Sequence, residues 1–143
     1  MTHTRYAFLK ASWQSEILDQ ALAGFLEVVP EDRVDIFQVP GAFELPLLAK
    51  TLAKSGRYGA IAAAALVVDG GIYRHEFVAQ AVVDGLMQAG LETGVPVLSV
   101  SLTPHAFQDT EHHRRIYKEH FVQKGKEAGE AALRVAELYR ELA

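Results

Sequence analysis

The residues best suited to chemistry lie in "LVVDGGIYRHEF", residues 66–77, where an apolar run ends in two glycines and a basic pair follows. Gly70 and Gly71 let the backbone approach a ligand closely, and neighbouring N–H groups there can form an anion nest. Arg74 and His75 then fall at a helix start, where positive charge opposes the macrodipole unless an anion sits nearby. Local rule-breaking of this kind marks functional sites. The stretch therefore reads as an anion receptor with proton-moving groups beside it. A Gly-Gly turn with a solvated arginine is the plainer alternative.

Three other clusters stand out. Trp13, the only tryptophan, offers a flat indole that either stacks on a heteroaromatic ring or caps a helix–strand junction. In "VPGAFELP" (39–46) a Pro-Gly turn opens a helix whose first N–H groups lack internal partners. Glu44 beside them is favoured by the macrodipole, and as an ionised acceptor it suits a polyhydroxyl chain; a solvated helix-start glutamate is the alternative. The segment "TPHAFQDTEHHRRIYKEHFVQKGKEAG" (103–129) holds four of the six histidines together with Arg114, Arg115, Lys118, Lys124 and Lys126. His113 and His120 stand two helical turns apart, but His112 and His113 point apart on a helix and no carboxylate–histidine signature fixes a zinc set. A cationic rim for a phosphate fits better, with a solvated basic helix as its competitor.

These clusters need elements to hold them. "YAFLKAS" (6–12), "VDIFQV" (34–39), "YGAIAAAALVV" (58–68) and "PVLSVSL" (96–102) read as strands. The alanine-rich third run could equally be helical by propensity; its place between two helices and its Gly-Gly ending favour a central strand buried on both faces. Helical spacing appears in "SEILDQALAGFLEVV" (15–29), "AFELPLLAKTLAKSG" (42–56), "HEFVAQAVVDGLMQAG" (75–90) and "KGKEAGEAALRVAELYREL" (124–142). In the last, Ala128, Ala131, Val135, Leu138 and Leu142 are expected to face inward. Pro46 requires the first turn of its helix, and Gly56 marks a stop. Alternating strands and helices imply a parallel sheet with right-handed crossovers. The expected fold is a three-layer, flavodoxin-like α/β sandwich with a four-stranded parallel sheet, as a single domain over 1–143. In such sheets ligands bind beyond the carboxyl ends of the strands, where every cluster above falls.

Bulk composition sets limits. Half the residues are hydrophobic, so a core needs no staples, and the absence of cysteine removes disulfides, thiolate metal sites and a cysteine nucleophile. A net charge of −4 argues against nucleic acid as the main partner. No apolar run spans a bilayer, and the start lacks a signal-peptide core. A soluble, cytoplasmic setting is expected.

Together the residues resemble the lumazine synthase family, nearly end to end. "VPGAFELPLLAK" is close to that family's Val-Pro-Gly-Ala-Phe-Glu-Ile-Pro signature, "LKASWQSEI" sits at its ring-stacking segment, and "KGKEAGEAAL" resembles its C-terminal helix. "GGIYRHEFV" and "LTPH…EHH" resemble the type II subgroup. The resemblance implies condensation of 5-amino-6-ribitylaminouracil with 3,4-dihydroxy-2-butanone 4-phosphate to 6,7-dimethyl-8-ribityllumazine. It implies no metal, flavin or nicotinamide, and pentameric rings paired as a decamer with sites at subunit boundaries.

By position, the resemblance places Trp13 on the pyrimidine ring and Ala42, Phe43 and Glu44 on the ribityl chain. Leu66, Val67 and Val68 would offer backbone groups to the ring's edge. The family's phosphate-binding Gly-x-Thr falls on Gly70, Gly71 and Ile72, without the threonine. The family's helix-start histidine falls on Arg74, which stays charged and cannot accept a proton; His75 beside it can shuttle one. The phosphate arginine falls near His112 or His113, followed by Arg114 and Arg115. A ring-covering phenylalanine from the neighbouring subunit falls on Ser99, which predicts slow turnover. Two readings follow: an active synthase, or a riboflavin- or lumazine-binding scaffold of the same fold with little catalysis.

Overall fold

The structure is a computed structural model that describes residues 4–68, 75–102 and 110–143, with the side chains of His75, Ser101 and Leu102 outside the description. Its elements are β1 (Arg5–Ala11), α1 (Ser15–Val28), β2 (Val34–Val39), α2 (Leu45–Lys54), β3 (Tyr58–Leu66), α3 (His75–Thr93), β4 (Val97–Leu102) and α4 (Glu111–Leu142). Short 3-10 turns at Glu31–Arg33 and Ala42–Glu44 lead into β2 and α2. The strands form one parallel sheet in the order β2-β1-β3-β4. This is the expected flavodoxin-like α/β fold. The strand order reverses between β1 and β3, which opens a crevice at their carboxyl ends.

The alanine-rich run is a strand, because tertiary burial overrides intrinsic preference. Ala60 and Ala62–Ala65 of β3 are each at most 1 % exposed. Small side chains there admit helices closely on both faces of the sheet. Pro46 falls in the first turn of α2, where its missing N–H leaves no bond unmade. Gly56 follows that helix at φ 74°, a left-handed conformation favouring glycine. Among the described residues Phe8, Phe25 and Phe121 are the largest fully buried side chains, and the rings of Phe8 and Phe25 meet tilted with centroids 5.1 Å apart.

Two expectations for the last helix are corrected. It begins at Glu111 and not near Lys124, capped by Thr110, whose hydroxyl accepts from the His113 N–H at 3.2 Å. Its inner stripe is Phe121, Gly125, Ala128, Gly129, Ala132 and Ala136, while Leu138 and Leu142 are exposed. The stripe is made of small residues because α4 lies against the backbone of α1. A Cβ on Gly125 would sit 1.9 Å from the Ala21 carbonyl oxygen, and one on Gly24 would sit 2.0 Å from that of Val122. Larger inward side chains cannot fit, so the leucines near the carboxyl end lie off that seam.

At the amino end of the sheet, Asp35 gathers three strands. It accepts from Arg5 of β1, from the Tyr58 hydroxyl of β3 at 2.6 Å, and from Arg57 at 3.5 Å. Hydrogen bonds from Arg5 and then Tyr58 hold its carboxyl below the usual carboxylate range. These ties lie far from the strand exits and register the sheet from below.

The α1–α4 seam yields a direct expectation. Gly125→Ala forces backbone from backbone and should destabilise the protein by about 1–3 kcal/mol or more, as overpacking does. Urea unfolding measures it, and an unchanged midpoint would show that the helices are not in backbone contact.

Candidate functional site

The exits of β1 and β2 are tied together. The backbone N–H of Ser12 donates to the Val39 carbonyl at 2.8 Å, and its hydroxyl donates to the same oxygen at 3.0 Å. The Gln38 amide donates to the Ser12 hydroxyl at 2.9 Å. The turn carrying Trp13 is thereby fixed to the strand that leads into Ala42, Phe43 and Glu44. Trp13 is 76 % exposed and Phe43 59 % exposed. The indole does not cap the helix–strand junction; its face is open, as a stacking platform requires.

Glu44 is more than a solvated helix-start residue. One carboxylate oxygen accepts from the Gly41 N–H at 2.7 Å and so braces the Pro-Gly turn. Ala42 beside it is half-buried. At the exit of β3, Leu66 and Val67 are buried and Val68 is half-buried. Their side chains belong to the core, so what they can offer a ligand is backbone. The ladder between β3 and β4 ends at the pair Leu66–Leu102, leaving Val67 and Val68 beyond it.

Between Trp13 and α1 stands Gln14, a residue without a sequence signal. It adopts φ 61° and ψ 34°, the one left-handed non-glycine residue among those described. Such a conformation strains an L-residue, and strain of this kind clusters at functional turns. Its backbone carbonyl accepts the first bonds of α1, from Ile17 and Leu18 at 3.0 Å each. Its side-chain carbonyl accepts from Arg114 Nη1 at 2.9 Å. Arg114 also faces Glu16 at 3.6 Å, and Lys118, one turn later on α4, reaches Glu16 at 2.6 Å. Lys118 first, and Arg114 after it, hold the Glu16 carboxyl below its ordinary range. An open hollow of about 470 Å³ lies among Glu16, Glu111, Arg114, Arg115 and Lys118.

The basic residues of α4 take different directions. Arg114 turns toward the Trp13 turn, whereas Arg115 is 65 % exposed and pairs with Glu111 on its own helix. The ring of His113 meets Tyr117 edge-on, with centroids 6.3 Å apart, and His112 is exposed. Lys124 pairs with Glu127 at 3.4 Å, about 15 Å along the helix from Arg114 at 1.5 Å per residue. Ser99 is exposed on the edge strand β4, opposite Ala63 and three residues before the strand's end. Neither Lys124 nor Ser99 is brought to the Trp13 turn within one protomer. Gly70, Gly71 and Arg74 lie outside the described residues; His75 opens α3, its side chain undescribed. Among the described residues no group of three or more histidines and carboxylates could hold a metal ion.

Residues 3–140 match the family model described as 6,7-dimethyl-8-ribityllumazine synthase. A Rhodococcus erythropolis protein named 6,7-dimethyl-8-ribityllumazine synthase is 56 % identical over 89 % of this chain and 85 % of its own length. A Pseudomonas syringae pathovar tomato protein named 6,7-dimethyl-8-ribityllumazine synthase 2 is 56 % identical, covering 87 % of this chain and 76 % of its own. A Xanthomonas euvesicatoria synthase is 37 % identical over 96 % and 90 % respectively. All three relatives carry the enzyme's name, which favours catalysis over a scaffold role.

The strained turn can be tested by a pair of variants. Gln14→Ala keeps the left-handed strain and loses the bond to Arg114, whereas Gln14→Gly relieves the strain. Gln14→Gly should be more stable than Gln14→Ala by about 1 kcal/mol. Equal stabilities in thermal unfolding would contradict a left-handed turn at this position.

Proposed function

The chain belongs to the 6,7-dimethyl-8-ribityllumazine synthase family, and from that premise we propose how its strand exits perform the reaction. It is a transferase of riboflavin biosynthesis, condensing 5-amino-6-ribitylaminouracil with 3,4-dihydroxy-2-butanone 4-phosphate. The reaction forms an imine, eliminates phosphate and closes a ring. Both substrates are already reactive, so holding them in register supplies much of the acceleration. In our reading the pyrimidine stacks on Trp13, and its edge meets the backbone of Leu66, Val67 and Val68. The ribityl chain lies along Ala42, Phe43 and Glu44. The open indole face beside the tied exits of β1 and β2 is the observation that carries this assignment.

The phosphate-bearing substrate is assigned to the other end of the crevice. Gly70 and Gly71 offer backbone donors, and Arg114, turned to the Gln14 turn, offers a fixed guanidinium. His112 and His113 lie one or two residues away on α4 and form the rim. Arg74 stays cationic, polarising the carbonyl or steadying the leaving phosphate, while His75 moves the proton. Lys124 and Ser99 reach a site only from a neighbouring protomer. That reading is supported by their distance from Trp13 along the protomer's own elements and by the exposed apolar residues of α3, Met87 at 61 % and Leu91 at 78 %. We take the assembly to be two pentameric rings of the type II kind in a cytoplasmic setting, with the whole chain as one domain.

Lumazine fluorescence on mixing the two substrates tests the reaction; a rate no faster than the uncatalysed one would overturn it. Trp13→Ala should weaken the ring-bearing substrate by about 1–3 kcal/mol, read as a raised KM. An unchanged KM would remove the indole from the site. Arg114→Ala should raise the KM of the phosphate-bearing substrate alone; equal effects on both substrates would contradict its placement. Native mass measurement should give a decamer, and a monomer would refute the shared site.

A further inference from the structure

A second polar recess lies at the opposite end of the molecule, at the amino edge of the sheet. It measures about 370 Å³ and is lined by Thr4, Tyr6, Arg33, Leu133, Glu137 and Arg140. Three separate elements meet there: the start of β1, the residue entering β2, and the last turns of α4. Tyr6 forms the floor. It is 4 % exposed, and its hydroxyl has no hydrogen-bond partner among the described residues. A buried tyrosine hydroxyl normally has one, so among the described residues this group stands available to a ligand in the recess.

The surrounding charges indicate what that is. Arg33 makes no ion pair among the described residues, in contrast to Arg5 and Arg57, both engaged by Asp35. Arg140 spends one donor on the Thr4 hydroxyl at 3.4 Å, and a guanidinium has five. Burial drives the Tyr6 hydroxyl above its ordinary pKa, with the charges of Arg33 and Arg140 acting in the opposite sense. The hydroxyl therefore stays protonated and can donate near neutral pH. Two guanidiniums, a phenol and a threonine hydroxyl converge as donors on one recess. Glu137 tempers the positive charge and can accept a hydrogen bond from a singly protonated phosphate oxygen.

We propose that this recess binds a phosphate group, free or as a small phosphate monoester, held by Arg33, Arg140 and the Tyr6 hydroxyl and separate from the strand-exit site. The volume admits a phosphate with a short polar substituent.

The test is calorimetric titration of inorganic phosphate and of glycerol 3-phosphate into the Arg114→Ala variant, which lacks the proposed phosphate contact at the strand exits. One of the two should bind, and which one tells the free ion from the ester. Adding Arg33→Gln with Arg140→Gln should weaken that binding by about tenfold or more, as loss of charge-assisted bonds does. Tyr6→Phe, which keeps the ring and removes only the hydroxyl, should weaken it by a smaller factor. In the otherwise native protein these changes should leave lumazine formation unaltered. Binding of neither probe to Arg114→Ala, or equal binding with and without the two arginines, overturns the proposal.

Discussion

The backbones of α1 and α4 touch, and the placement of the strand-exit residues follows from that contact. Gly24 and Gly125 each lie where a Cβ would collide with a carbonyl oxygen of the other helix. Helices that meet on their backbones have little freedom to slide, because close-packed interiors resist small displacements. The two run side by side in the same direction on one face of the sheet. Their amino ends therefore rise together at the strand exits. Arg114 and Lys118 of α4 meet Gln14, just before α1, and Glu16 in its first turn as a consequence. The cationic group stands beside Gln14, the residue after Trp13, because two glycines near the middle of the helix pair permit it.

The sheet supplies the second half of the geometry. Its order reverses between β1 and β3, so the crevice opens where the Trp13 turn and the Val67–Val68 exit face each other. Ser12 joins β1 to β2 at the same level and draws the Phe43–Glu44 turn alongside. Apolar and aromatic surface gathers on the β2 side, and basic charge gathers toward α4. That division suits a flat heterocycle with a polyol on one side and a phosphate leaving group on the other. The Asp35 cluster fixes the strands at the far end, so the exits rest on a sheet registered from below.

Much of this was legible in the residues. The bounds of β2 are those that the alternation of "VDIFQV" predicts, and Pro46 sits where a proline in a helix must. The alanine run became a central strand for the reason its flanks suggested. The start of α4 was not legible, because residues 111–120 are polar or charged on nearly every face and give no apolar stripe to read. Leu138 and Leu142 were misassigned since a leucine signals burial by type, while the actual seam selects for absence of a side chain. The left-handed Gln14 has no compositional cue at all, as glycine or asparagine would be the expected residue there. The Arg114–Lys118 pair did have one, a spacing of one helical turn, but only the position of Glu16 turns that spacing into a direction.

The most direct measurement is a crystal structure of the protein with an unreactive analogue of the ribitylaminopyrimidine and inorganic phosphate bound together. The ring should lie flat on the indole of Trp13, and a phosphate should lie within hydrogen-bond reach of Arg114 across the same crevice. A ring bound away from the exits of β1 and β3, or a phosphate at the strand exits with Arg114 turned from it, would contradict the account.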